Sequence, residues 1–133
     1  MVFFGRIGLV CISYLFFRLI LTVIVGLVRK NGKPLPDLLK RIFQFVTKTH
    51  RYVGLVAVGA IITHFILQFT CYGFVPLSGL IAASLLMLQG VLGLGLRRQK
   101  DKERRQKMAL LHRILGIILV LAMLNHRYFR LGS

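Results

Sequence analysis

The sequence predicts an all-α integral membrane protein, a bundle of four transmembrane helices. Its 133 residues are 56% hydrophobic with a mean hydropathy of +0.75, which is more apolar surface than a soluble domain of this size can bury. Four stretches approach or exceed the roughly 20 apolar residues that cross a bilayer core. The basic residues cluster between these stretches. This pattern argues against a nucleic-acid-binding protein, despite the net charge of +16.

The predicted helices belong to a single domain over residues 1–133. They cover about residues 3–28, 50–74, 77–96 and 108–129. The first stretch lacks a basic leader and an A-x-A cleavage site, so we expect it to be a retained helix and not a signal peptide. Between helices 1 and 2, apolar residues recur at helical spacing from Leu35 to Val46, opposite lysine and arginine. This pattern predicts a short amphipathic helix in the membrane interface.

The distribution of basic residues predicts the orientation in the membrane. Lysine and arginine occupy seven positions in residues 29–51 and seven in residues 97–107, but none in residues 71–78. By the positive-inside rule, both basic segments face the cytoplasm or its organellar equivalent. The chain is therefore expected to be a multi-pass protein of a prokaryotic plasma membrane or an organellar inner membrane, with both termini on the outer side.

Helices 2 and 4 share a repeat that includes every histidine of the chain. Both read H-R-x-x-G-x9-H. The repeat consists of His50, Arg51, Gly54 and His64 on helix 2, and of His112, Arg113, Gly116 and His126 on helix 4. Fourteen residues of α-helix turn by about 1400°, which is some 40° short of four full turns, and rise by about 21 Å. The two histidines of each helix thus share one face and lie near opposite sides of the membrane.

This spacing predicts two histidine pairs. Helices 2 and 4 run parallel because one helix separates them, so His50 lies at the depth of His112, and His64 lies at the depth of His126. Two imidazoles at one depth suit the axial positions of a haem iron, and we predict two haems b with bis-histidine ligation. Zinc or copper fits less well, because ligands about 21 Å apart cannot share an ion and each pair alone is two-coordinate.

Glycines near the histidines are candidates for contact with these haems. Gly54 and Gly116 lie one turn from a ligand, where the lack of a side chain lets a porphyrin edge approach the backbone. Gly79 and Gly93 on helix 3 are also fourteen residues apart. This spacing would allow Gly79 to lie against the outer haem and Gly93 against the inner haem. Ordinary helix packing in membranes is the alternative role for the two helix 3 glycines.

Arginines are the candidates for binding haem propionates. Arg18 lies about 15 Å from the inner end of helix 1, too deep to reach the interface comfortably. Intramembrane arginines normally have a partner, yet the only acids are Asp37, Asp101 and Glu103, all in the basic segments. Haem propionates would supply the missing anions. The further candidates, which alternatively mark helix ends, are Arg51, Arg113 and Arg127.

The chain has four predicted helices, of which the second and the fourth each carry two candidate ligands. This arrangement resembles the di-haem core of respiratory cytochrome b. The H-R-x-x-G-x9-H pattern is also similar to the transmembrane domain of ferric reductases and NADPH oxidases. The resemblance implies that His50 and His112 ligate the inner haem iron, and that His64 and His126 ligate the outer one. No flavin or nicotinamide domain accompanies the helices, and no catalytic base or nucleophile stands out.

The predicted function is therefore electron transport, as the membrane-anchor subunit of a larger oxidoreductase complex such as a respiratory-chain enzyme. Expected partners are membrane lipid, other subunits that include an acidic protein at the basic inner surface, and quinone. Nucleic acid is not expected. Two alternatives remain open. One is a stand-alone quinol or metal reductase, and the other is a haem-free membrane scaffold whose basic segments bind anionic lipid.

Overall fold

In the computed structural model, residues 2–129 are described and form four antiparallel helices. The elements are α1 Val2–Lys30, α2 Asp37–Tyr72, α3 Leu77–Arg98 and α4 Lys102–Leu124, with a π-helical turn Asn125–Phe129 after α4. All four helices are long and apolar enough to cross a membrane. The prediction of an all-α, multi-pass protein is confirmed to this extent. Residue 1 and residues 130–133, the ends of the predicted single domain, lie outside the described range.

The helix ends follow from local sequence. Pro36 and Pro76 directly precede α2 and α3 with extended backbone angles, since proline cannot donate an amide hydrogen bond but suits a helix start. Gly73 ends α2 with a φ of 70°, and its N–H donates to the carbonyl of Phe69; this left-handed conformation favours glycine. The Asp101 carboxylate begins α4 by accepting hydrogen bonds from the second and third backbone N–H groups after it.

The prediction of a separate interfacial helix is wrong. The residues from Asp37 to Val46 are helical, but they form the first turns of one continuous α2 of 36 residues. No proline or glycine interrupts residues 37–53, so nothing in this segment stops the helix. At 1.5 Å per residue α2 is about 54 Å long. Similarly, α4 begins at Lys102 and not near residue 108 because Asp101 caps it there.

The four helices are arranged as a square in chain order. α1 packs against α2 and α4, and α3 packs against the same two helices. Within residues 2–129, α2 and α4 make no direct backbone contact with each other, because they occupy opposite corners. The Tyr14 hydroxyl donates to Thr49 Oγ1 at 2.5 Å and joins α1 to α2.

A buried layer crosses the middle of the bundle. Four apolar residues that are at most 5% exposed, one from each helix, form this layer: Ile12, Ala57, Leu86 and Leu119. Ala57 lies midway between His50 and His64 in sequence, and Leu119 lies midway between His112 and His126. The layer therefore separates the two histidine depths. We call the end with the α2–α3 turn the outer end, and the end with the two basic segments the inner end.

Candidate functional site

The inner histidines meet across the centre of the bundle. His50 on α2 and His112 on α4 have ring centroids 6.4 Å apart, with ring planes inclined by 77°. Their Nδ1 atoms are buried and have no hydrogen-bond partner. Because α2 and α4 are diagonal, these two side chains bridge a gap that the helix backbones do not close. The structure thus brings together the two residues predicted as the inner pair.

The inner ring separation suits a shared metal ion. A metal–nitrogen bond to imidazole is about 2 Å long. When two imidazoles bind one ion from opposite sides, the two bonds and the two distances from nitrogen to ring centre add up to roughly 6 Å between the ring centres. The observed 6.4 Å is close to this value. Buried polar atoms normally have partners, and an unpartnered ring nitrogen is available as a ligand.

The outer histidines line a common cavity. Its volume is about 500 Å³, within the range of about 300–1,000 Å³ that is typical of ligand pockets, and both His64 and His126 lie on its wall. Gln68 and two cations, Arg6 and Arg127, also line it. A cavity with two imidazoles and two guanidinium groups suits an anionic metal complex. Arg6 was not among the arginines predicted from the sequence, because it lies outside the histidine repeat.

Glycines on the neighbouring helices accommodate the histidine rings. A Cβ atom at Gly79 on α3 would lie 3.0 Å from Cε1 of His126, and one at Gly93 would lie 3.6 Å from Cε1 of His112. The two predicted α3 glycines thus lie beside the predicted outer and inner ligands. A Cβ at Gly5 on α1 would likewise lie 3.5 Å from Cε1 of His64. The fourteen-residue spacing that marked Gly79 and Gly93 does not reveal Gly5, because residue 19 is leucine.

The two glycines of the repeat itself have different surroundings. A Cβ at Gly54 would meet nothing within 4 Å, whereas one at Gly116 would lie 3.2 Å from Nε2 of Gln89. Gln89 is only 8% exposed, and its Nε2 donates to the carbonyl oxygen of His112 at 2.8 Å. Gly116 therefore makes room for an amide that holds the backbone of a predicted ligand. Contact of either glycine with haem stays a prediction.

Arg18 lies in the inner part of the bundle, beside the inner histidines. Its side chain is half-buried, its Nε has no hydrogen-bond partner, and it is close enough to interact electrostatically with His50 and His112. Arg113 is close enough to repel it. Arg113 is exposed, whereas Arg18 is a half-buried guanidinium group in an apolar bundle, where a charge normally has a compensating partner.

The chain's own carboxylates lie elsewhere. Asp101 and Glu103 are exposed at the inner end, where they pair with Arg104 and Lys107. Asp37 begins α2 and is exposed too. Of the other candidate arginines, Arg51 is exposed and stacks over the Tyr52 ring, and Arg127 lies at the outer cavity. Within residues 2–129, neither Arg18 nor Arg113 therefore has a carboxylate partner.

No protein-family model, curated protein or solved structure matches this chain. The function is therefore inferred from the residues and the geometry of the site. Within residues 2–129, no three histidine, cysteine, aspartate or glutamate side chains form a cluster that could hold a bare metal ion. Each histidine pair supplies two ligands, which matches the two axial positions of haem iron, since the porphyrin occupies the other positions. The residues present therefore fit haem.

Proposed function

We propose that this protein is a di-haem membrane cytochrome b that transfers electrons across the bilayer as a subunit of a larger redox complex. The observation that carries the proposal is the arrangement of the four histidines. One pair meets across the bundle at 6.4 Å, and the other lines one cavity at the outer end. His50 and His112 would hold the inner haem, and His64 and His126 the outer haem.

The charges around the sites support an anionic cofactor. Arg18 and Arg113 lie beside the inner pair, and Arg6 and Arg127 line the outer cavity. Of these four, Arg18 is half-buried and the other three are exposed. Haem propionates carry negative charge and would compensate Arg18 within the apolar bundle, where an uncompensated charge is costly, and would attract the three exposed guanidinium groups.

The layer between the histidine depths suits a path through the membrane. When bound, haem supplies a reversible one-electron couple whose potential depends on its ligands, burial and nearby charges. The four buried apolar side chains Ile12, Ala57, Leu86 and Leu119 lie between the two depths, and all but Ala57 also line the outer cavity. The helices would thereby hold the two sites about 21 Å apart along the helix axis.

The basic inner end supports a soluble partner. Residues 97–107 carry seven basic residues and two acids, and every residue of the segment 100–107 is exposed. By the positive-inside rule this end faces the cytoplasm or its equivalent. We propose that an acidic subunit or carrier docks there near the inner site, since complementary charge accelerates association. Membrane lipid and quinone are further proposed partners.

The visible spectrum of the purified protein tests the proposal. We expect two low-spin haems b per chain, with little binding of carbon monoxide because both axial positions are occupied. His64→Ala should remove the outer haem and retain the inner one, and His112→Ala should do the reverse. A protein that binds no haem after reconstitution would instead favour a membrane scaffold, and one haem per chain would contradict the two-pair assignment.

A further inference from the structure

The environment of His126 differs from that of the other three histidines. The Nδ1 atoms of His50, His64 and His112 are buried without a hydrogen-bond partner. In contrast, His126 Nδ1 lies 3.1 Å from the Ser78 hydroxyl on α3. Ser78 is only 5% exposed, and the hydrogen bond is part-buried at the wall of the outer cavity. One of the four proposed ligands thus has a buried side-chain partner that fixes its ring.

Two further features constrain the same ring. Gly79, next to Ser78, would place a Cβ 3.0 Å from the His126 ring, so the ring lies directly against the α3 backbone. His126 also lies in the π-helical turn Asn125–Phe129, while its counterpart His64 lies in regular α-helix. A π-helical turn changes the direction in which its side chains project and often occurs at functional sites. The turn, the glycine and the serine together determine how His126 is oriented.

We propose that Ser78 is a positioning residue that fixes the tautomer of His126 and tunes the outer haem. This inference rests on the proposed function. Nδ1–H of His126 donates to Ser78 Oγ, which leaves the lone pair on Nε2 for the iron. A hydrogen bond of this kind orients a metal-ligating histidine and raises its basicity. A more basic ligand stabilises ferric over ferrous iron, so Ser78 lowers the midpoint potential of the outer haem.

The matched substitutions lie on one helix. Ser78→Ala removes the hydroxyl, while Ser78→Thr retains it. Ser84→Ala makes the same chemical change at an exposed position of α3. Loss of such a partner commonly weakens metal binding by about 10- to 100-fold. A tenfold loss confined to the ferric form corresponds to a rise of about 59 mV in a one-electron midpoint potential.

Potentiometric titration of the purified holoprotein provides the measurement, with the outer haem assigned as the one lost in His64→Ala. We expect Ser78→Ala to raise the outer potential, and Ser78→Thr and Ser84→Ala to match the wild type; the inner potential should stay constant in all three. An unchanged outer potential in Ser78→Ala would overturn the proposal. So would a Ser78→Thr protein that behaves like Ser78→Ala, since packing and not the hydroxyl would then be responsible.

A second measurement does not depend on haem. The ¹⁵N chemical shifts of the imidazole in the apoprotein report which nitrogen of His126 is protonated. We expect protonated Nδ1 in the wild type and a mixture of tautomers in Ser78→Ala. Protonated Nε2 in the wild type would overturn the inference. A wild-type protein with protonated Nδ1 but no outer haem would contradict the proposed function while supporting the role of Ser78.

Discussion

Gly79 is the position at which a single methyl group tests the outer site most directly. In Gly79→Ala the new Cβ would lie 3.0 Å from Cε1 of His126, whereas carbon atoms prefer separations of about 3.5–4.0 Å. The ring or the helix must therefore move by a few tenths of an ångström. Because Ser78 holds the same ring, the histidine cannot shift without disturbing that hydrogen bond.

The expected effect is a selective weakening of the outer haem. Overpacking of a well-packed site costs about 1–3 kcal/mol, which corresponds to an affinity reduced by roughly 5- to 150-fold. The inner haem should remain, since the three atoms nearest to the new Cβ all belong to the ring of His126 at the outer site. Haem content per chain and the rate of haem loss to an acceptor protein would measure both sites.

Two further glycines provide the controls for Gly79→Ala. A Cβ at Gly59 would meet nothing within 4 Å, so Gly59→Ala measures only the preference of a helix for alanine over glycine, about 1 kcal/mol. A Cβ at Gly5 would lie 3.5 Å from the His64 ring, an ordinary contact that should be tolerated. If Gly79→Ala retains the outer haem as firmly as Gly59→Ala does, then the inferred packing of α3 against His126 is wrong.

Three further experiments test the inner site, the basic surface and the helix packing. Arg18→Leu should lower the inner haem potential by tens of millivolts, on the order expected for removal of a nearby cation; potentiometry with the exposed Arg29→Leu as control would detect this, and unchanged potentials would place Arg18 away from a propionate. Reduction of the inner haem by its partner should slow as the salt concentration rises. It should also slow, at constant haem content, when Arg97, Arg98, Arg104 and Arg105 are neutralised. If stopped-flow rates change in neither case, then residues 97–107 only determine the topology. Tyr14→Phe should lower the free energy of unfolding by about 0.5–1 kcal/mol through loss of its hydrogen bond to Thr49; denaturant titration in detergent would measure this against the exposed Tyr72→Phe, and equal stability would show that the bond contributes nothing.

Depth in the membrane could be predicted from the sequence because it depends only on spacing along single helices. The fourteen-residue spacing placed His50 at the depth of His112, and the structure brings their rings together. The same spacing assigned Gly79 and Gly93 to the outer and inner depths, and the structure places them beside His126 and His112. The helix count followed from hydropathy, which requires no knowledge of packing. These features are local properties of each helix, and the structure agrees with them.

Lateral arrangement could not be predicted in the same way. The diagonal placement of α2 and α4 depends on how all four helices pack, and it explains why the histidines meet while the backbones do not. Gln89 is a polar residue in an otherwise apolar part of α3, and the sequence does not show that it donates to the His112 carbonyl on α4. The π-helical turn at residues 125–129 departs from the exact repeat, so no pattern shared with α2 revealed it. The continuous α2 was not predicted, because the composition changes from amphipathic to apolar along this segment without a residue that ends the helix.

The diagonal placement of the ligand helices has a consequence for biogenesis. α1 packs chiefly on α2, and α3 chiefly on α4, so each half of the chain forms its own helical hairpin. Such hairpins can enter a membrane one after the other, as each satisfies its backbone hydrogen bonds internally. Each histidine pair takes one member from each hairpin, so cofactor insertion would act as a late assembly step that joins the two halves. Chains made under haem limitation should therefore remain in the membrane as loosely associated hairpins, and the segment between α2 and α3 should be the first to be cleaved by surface proteases.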